Sequence, residues 1–218
     1  MIFVSLLCEN LMTSSNLIFK NVYKENLIET YVSGSSSQYI NSSIQLTNPE
    51  YTYDQVEKRY DWCSNIGKTQ NDYPWIIYTI KNYAISLKGY YLKSGCCDDD
   101  NFCCCYGDDQ YCCFCCMYSW SLQISNDNKT WKTIHQVERD EEMKFCKEKT
   151  YHFSETYTAK YVRLIQDESC PNEHPCIAIN KLELLGKLIQ GNDIEYEEEI
   201  YEDDDVSIIG HVSKNQVK

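Results

Sequence analysis

Ser119-Trp-Ser-Leu-Gln-Ile-Ser125 alternates without a break, placing Trp120, Leu122 and Ile124 on one side of an extended chain and Ser121 and Gln123 on the other. A helix would scatter those three apolar side chains, whereas a strand lines them along one face. Asn126-Asp-Asn-Lys129 follows, and Asn and Asp side chains can bond backbone amides two residues on, so these residues predict a tight turn. Trp131 to Val137 then resumes as an antiparallel strand, returning Trp131 toward the sheet that carries Trp120. Buried indoles of this kind are each worth roughly a few kcal/mol. The stretch from 119 to 137 therefore reads as a hairpin on the wall of a β-structured core.

Toward the N-terminus, Trp75-Ile-Ile-Tyr-Thr-Ile80 is apolar on both faces and follows Pro74, which suits the start of a strand. Tyr83 to Ser94 forms another run, with Gly89 shifting the alternation as a bulge does. Further strands are expected at Tyr151–Phe153, Lys160–Ile165 and Ile177–Leu185, the last closed by Gly186. With 19 Tyr and four Trp against eight Gly, the composition favours pleated, half-buried surfaces. Many short strands joined by polar turns predict an all-β jelly-roll sandwich. Residues 1–29 are an N-terminal segment suited to an edge strand or a short helix, and 30–187 form the sandwich. Between Tyr31 and Tyr53, Ser, Thr, Asn and Gln predominate, as in long connections.

Six stretches, in order, resemble the discoidin domain, also called the coagulation-factor 5/8 type C domain, of the galactose-binding-like superfamily. They are Asp61-Trp62-Cys63-Ser64-Asn65, Tyr73-Pro-Trp-Ile-Ile77, Leu87-Lys-Gly-Tyr90 with Leu92-Lys-Ser94, Ser119 through Trp131, Lys160-Tyr-Val-Arg-Leu164, and Asn180-Lys-Leu-Glu-Leu-Leu-Gly186. The resemblance marks Trp62, Trp75, Tyr90, Trp120, Asn126, Asp127, Trp131, Arg163, Glu183 and Gly186 as fold-defining. Arg163, between Val162 and Leu164, is expected to point outward or to pair with a carboxylate such as Glu183. Such domains bind carbohydrates, lipid headgroups or protein partners through loops at one end of the sandwich, and the fold alone does not select among them. The resemblance thus implies a non-catalytic binding module for a carbohydrate or protein surface, with no ligand-binding residue that carries over.

The stretch from Gly95 to Cys116 departs from that pattern, because it holds nine of the 14 cysteines in an insertion spanning 95–117. Cys112/Cys115 and Cys113/Cys116 have the Cys-x-x-Cys spacing that presents two thiolates to one ion, and Cys103 with Cys105, or Cys96 with Cys97, offers a second pair. A zinc or copper(I) site on Cys103, Cys105, Cys112 and Cys115 is one reading of these thiols. Disulfides with Cys63, Cys146, Cys170 and Cys176 are a second, and reduced thiols in a mobile or redox-responsive loop a third. A thiol-rich metal-binding or redox protein is accordingly the alternative function. The five Asp of the insertion lack the spacing of a calcium loop and instead keep it soluble.

Charge and motif content exclude several other classes. Nine of the 33 acids lie between Asp193 and Asp205, leaving 24 against 20 bases elsewhere. That block repels itself, predicting a disordered acidic tail over 188–218. No basic face stands out, which argues against nucleic acid as partner. His135 and His152 fall in expected strands, His174 in a loop and His211 in the tail, none beside a nucleophile motif. Rigid paired carboxylates and phosphate-binding glycine loops are also missing from the sequence, so no catalysis is expected. The segment Met1–Cys8 lacks a basic region and a cleavage site, and no later run reaches the roughly 20 apolar residues of a membrane span. These features favour a cytoplasmic chain, or an extracellular one if the start is truncated.

Overall fold

In the computed structural model, which describes residues 16–32, 48–56, 61–64, 67–95, 115–144 and 147–190, the alternating stretch is a strand with Trp120 and Leu122 wholly buried. It is β5 of the nine strands among the described residues: β1 (Ile28–Val32), β2 (Trp62–Cys63), β3 (Trp75–Ile80), β4 (Tyr83–Ser94), β5 (Ser119–Ser125), β6 (Lys132–Val137), β7 (Glu148–Ala159), β8 (Tyr161–Glu168) and β9 (Ala178–Gln190). They form two antiparallel sheets, a five-stranded one in the order β1-β3-β8-β5-β6 and a four-stranded one in the order β2-β9-β4-β7. This is the sandwich that the alternation predicts.

The core is the sum of the inward positions. Ile76, Tyr78 and Ile80 of β3, Val162 and Leu164 of β8, and Trp120 and Leu122 of β5 face Leu87, Tyr90 and Leu92 of β4 and Ile179, Leu182 and Leu184 of β9. On β4 the inward positions change parity between Leu87 and Tyr90, and the register shift at Leu87/Gly89 makes this work. Without that bulge one of the two side chains would face solvent. At the core's centre the Trp120 indole N–H donates to the Tyr90 hydroxyl over 3.0 Å, and that hydroxyl lies 2.9 Å from His135 Nδ1. Tyr90 thus links the buried indole to a half-buried imidazole, whose pKa burial lowers.

The N-terminal segment supplies both a helix and an edge strand. Helix α1 (Ile18–Val22) buries Ile18, Phe19 and Val22, and Leu17 bridges Leu185. Leu17 cannot cap a helix, and a distant carboxylate does so instead. Glu183 accepts from the Phe19 and Lys20 amides at 2.7 and 3.1 Å and from the Leu184 amide at 3.1 Å. Burial outweighs these donors and pushes the Glu183 carboxyl up to about 7.

Several expectations are corrected. The last strand does not close at Gly186 but runs to Gln190. Gly186 pairs with Leu87 beside the bulge at φ 156°, where a Cβ would collide with the Ser86 carbonyl. β7 is 12 residues long, far longer than Tyr151–Phe153. Trp62 and Trp120 are buried, whereas Trp75 and Trp131 are only partly so. β6 begins at Lys132, and Trp131 stays outside the core with the Arg163 guanidinium 4.1 Å above its ring. Arg163 does not pair with Glu183: both Nε and Nη2 donate to Gln123 Oε1, at 2.8 and 2.5 Å. The two residues stand in different sheets, and Glu183 is occupied by the amides of α1.

A candidate ligand-binding end of the sandwich

Register sorts the connections into two ends. Trp75 at the start of β3 pairs with Ile165, Ser119 at the start of β5 with Glu168 late in β8, and Trp120 with Val137, the last residue of β6. Lys93 pairs with Glu148, and Ser94 with Ile179. The chain therefore leaves one end after Cys63, Ser94, Val137 and Glu168 and re-enters it before Trp75, Ser119, Glu148 and Ala178. The opposite end carries the turns at 81–82 and 126–131 and the single residue Lys160 between β7 and β8.

The long-loop end is held by contacts far apart in sequence. Disulfides join Cys115 to Cys176 and Cys116 to Cys170, tying the close of the insertion to the β8–β9 connection. Cys63 is disulfide-bonded as well. The buried Gln166 amide donates to the Cys116 and Cys176 carbonyls at 3.3 and 3.0 Å. Ser64 exchanges two hydrogen bonds with Ile177, and the Gly67 amide donates to the Pro175 carbonyl over 2.7 Å. Together these bonds stitch three connections into one scaffold.

That scaffold presents polar side chains in fixed positions. Arg139 and Glu168 pair at 3.1 Å, and Ser119 Oγ accepts from the Arg139 amide at 2.9 Å while donating to Glu168 at 3.3 Å. The Glu168 carboxylate raises the Arg139 pKa. Lys149 reaches Asp140 at 2.7 Å and Glu142 at 2.8 Å, and these two hydrogen bonds raise the ammonium pKa. Ser121 Oγ donates to Asp167 over 2.5 Å. Trp75 and Tyr73 are half-buried at the same end, and His174 is exposed there. Asp140, Glu142, Asp167 and Glu168 each have a partner, so the arrangement offers fixed donors and acceptors beside aromatic surface.

The sequence-predicted residues are scattered with respect to this end. Cys103, Cys105 and Cys112 lie outside the described residues, as do Cys146, residues 1–15 and the tail from 191. Cys115 is corrected as a metal ligand: its sulfur is bonded to Cys176 and is not a free thiolate. Among the described residues no group of three or more metal-ligating side chains gathers. Asn126 and Asp127 belong to the opposite end. Asp127 accepts from the Lys129 and Thr130 amides, both at 2.8 Å, and Asn126 accepts from the Lys160 amide at 3.2 Å. Sequence reasoning missed Arg139, Ser119 and Glu168, since a pair 29 residues apart leaves no local signal. No helix among the described residues is long and apolar enough to cross a membrane.

No family model matches the chain, and no curated protein matches its sequence. Solved structures do match. The family 32 carbohydrate-binding module of Clostridium perfringens NanJ, in complex with galactose, superposes with a TM-score of 0.52 at 8% identity, covering 78% of this chain and 97% of that one. CpGH89CBM32-5 of Clostridium perfringens, in complex with GalNAc-β-1,3-galactose, gives 0.50 at 11% identity, covering 73% and 95%. CBM32-3 from a family 31 glycoside hydrolase of the same organism gives 0.50 at 13% identity, covering 73% and 91%. At such identities the likeness shows a common fold, the discoidin-type β-sandwich.

Proposed function

We propose that this chain is a non-catalytic carbohydrate-binding module that takes its sugar at the long-loop end. The observation that carries the reading is the stapled scaffold, which fixes the Arg139–Glu168–Ser119 cluster at the end where Trp75 and Tyr73 stay half-open. Sugar recognition needs this combination, because hydroxyls must find fixed donors and acceptors while a C–H face rests on an aromatic ring. Two structures of the same fold hold galactose or GalNAc-β-1,3-galactose, which makes these the first ligands to try. The disulfides suit an oxidising compartment, extracellular or at a cell surface.

The test is calorimetric titration of the full chain with galactose and GalNAc-β-1,3-galactose, alongside a glycan array. We expect saturable binding that weakens about tenfold in Arg139→Ala. Absence of saturable binding to every glycan presented rejects the proposal.

A further inference from the structure

At the short-turn end, on the flank formed by edge strand β1, a cleft of about 290 Å³ is lined by Tyr23, Lys24, Asn26, Ile28, Glu50 and Tyr53. We infer that this cleft is a second saccharide subsite, on the far side of the module from the long-loop end. The inference rests on the carbohydrate-binding reading but concerns a different set of residues.

Both walls are fixed before any ligand arrives. One is the 3₁₀ turn Tyr23–Glu25, closed by Asn26 in the left-handed conformation, with its amide donating to the Tyr23 carbonyl at 3.1 Å. The other is the 3₁₀ turn Pro49–Thr52, capped by Asn48, whose side chain accepts from the Glu50 amide at 3.0 Å. The apolar floor is rigid too. Ile28 and Tyr53 are buried, and the Tyr53 ring packs against Phe19 and Tyr78 with centroids 5.6 and 6.4 Å away. Such a site has little left to order on binding, which favours weakly held ligands.

The chemistry of the rim selects the ligand class. Tyr23 is committed to Asp54 over 3.1 Å. By contrast, the side chains of Lys24, Asn26 and Glu50 have no hydrogen-bond or ion-pair partner among the described residues. One cation, one anion and one amide around the opening have bonding capacity to spare, and the second carboxylate nearby, Asp54, is engaged by Tyr23. An apolar floor under a mixed donor–acceptor rim matches a neutral pyranose, with a C–H face below and hydroxyls around its edge. The volume suits one sugar ring rather than a chain. A module with a sugar site at each end could bridge two glycans.

The experiment follows individual residues by NMR while the full chain is titrated with galactose, GalNAc-β-1,3-galactose and glucose. Saturable shifts at the Asn26 side-chain amide and the Ile28 methyl are expected with at least one sugar. Glu50→Ala should weaken that response about tenfold, leaving any response of the Trp75 indole at the other end unchanged. No saturable shift at Asn26 and Ile28 with any of the three overturns the inference, whatever Trp75 does. A cleft response without one at Trp75, Arg139 or Tyr73 upholds it while removing the long-loop site. A response at both ends that Glu50→Ala reduces equally also overturns it, because that change would then be acting on the whole fold.

Discussion

The two ends of the sandwich are held in opposite ways. At the short-turn end, bonds are mostly local. Asp127 gathers the Lys129 and Thr130 amides and the Ser125 and Thr130 hydroxyls within a few residues of itself, lowering its pKa well below the usual carboxylate range. The long-loop end depends on partners 54 and 61 residues away through its disulfides, and 113 away between Ser64 and Ile177. Local bonds order a turn as the chain folds, whereas distant ones must first bear the entropy of loop closure. The short-turn end should therefore be robust, and the long-loop end conditional on its staples.

Removing a staple is the largest way to break that contrast. Replacing Cys115 and Cys176 by Ser removes the outer of two nested crosslinks, and because Cys116–Cys170 still closes most of the same loop, the chain-entropy account gives roughly 2 to 3 kcal/mol. Denaturant titration should show a loss of that order. Hydrogen exchange should locate it, with the Gly67 and Ile177 amides losing protection and the Asn128 amide, bonded to Ser125 at 2.9 Å, keeping it. Equal loss at both ends would mean that the sandwich responds as one unit and that the contrast is only geometric.

Glu183 tests whether a distant contact can matter as much away from the disulfides. Glu183→Ala leaves the Phe19 and Lys20 amides without their acceptor and should cost about 2 kcal/mol. Its titration gives a second signature. Its carboxyl titrates at about 7 in the folded chain against an ordinary 4.5, so between those values the native state binds more protons than the unfolded one. Its contribution to stability is complete below about 4.5 and fades as pH rises through about 7. Glu183→Gln keeps an acceptor without the charge and should flatten that part of the stability–pH curve. An unchanged slope in the Gln variant would show that other groups set it.

What could be read from the sequence follows the same division. β3, β4 and β5 were legible to the residue, since their patterns are carried by adjacent side chains such as Trp120, Leu122 and Ile124. The turn at Asp127 was legible for the same reason. β7 was underestimated because it is an edge strand paired only to β4, and exposed Thr150, His152, Ser154 and Glu155 dilute its alternation. The helix cap by Glu183, the choice of Cys170 and Cys176 as partners, and the Arg139–Glu168 pair depend on which distant residues meet. The outward placement of Trp131 turns on a single residue of strand boundary, which alternation cannot fix when the residue is an amphipathic indole.

The smallest effect is expected beside the short-turn end, where Arg163 lies over Trp131 and forks onto Gln123. Arg163→Lys keeps the charge but gives up the planar fork and the stacking of guanidinium on indole. Because the site is half-exposed, water replaces much of what is lost, and the cost should be ~1 kcal/mol or less. Indole fluorescence should still shift, since the Trp131 ring exchanges a packed cation for solvent. A large loss of stability would instead mean that Arg163 ties β8 to β5 through Gln123, making the sheet itself dependent on a side-chain fork and narrowing the difference between its short-turn end and its stapled end.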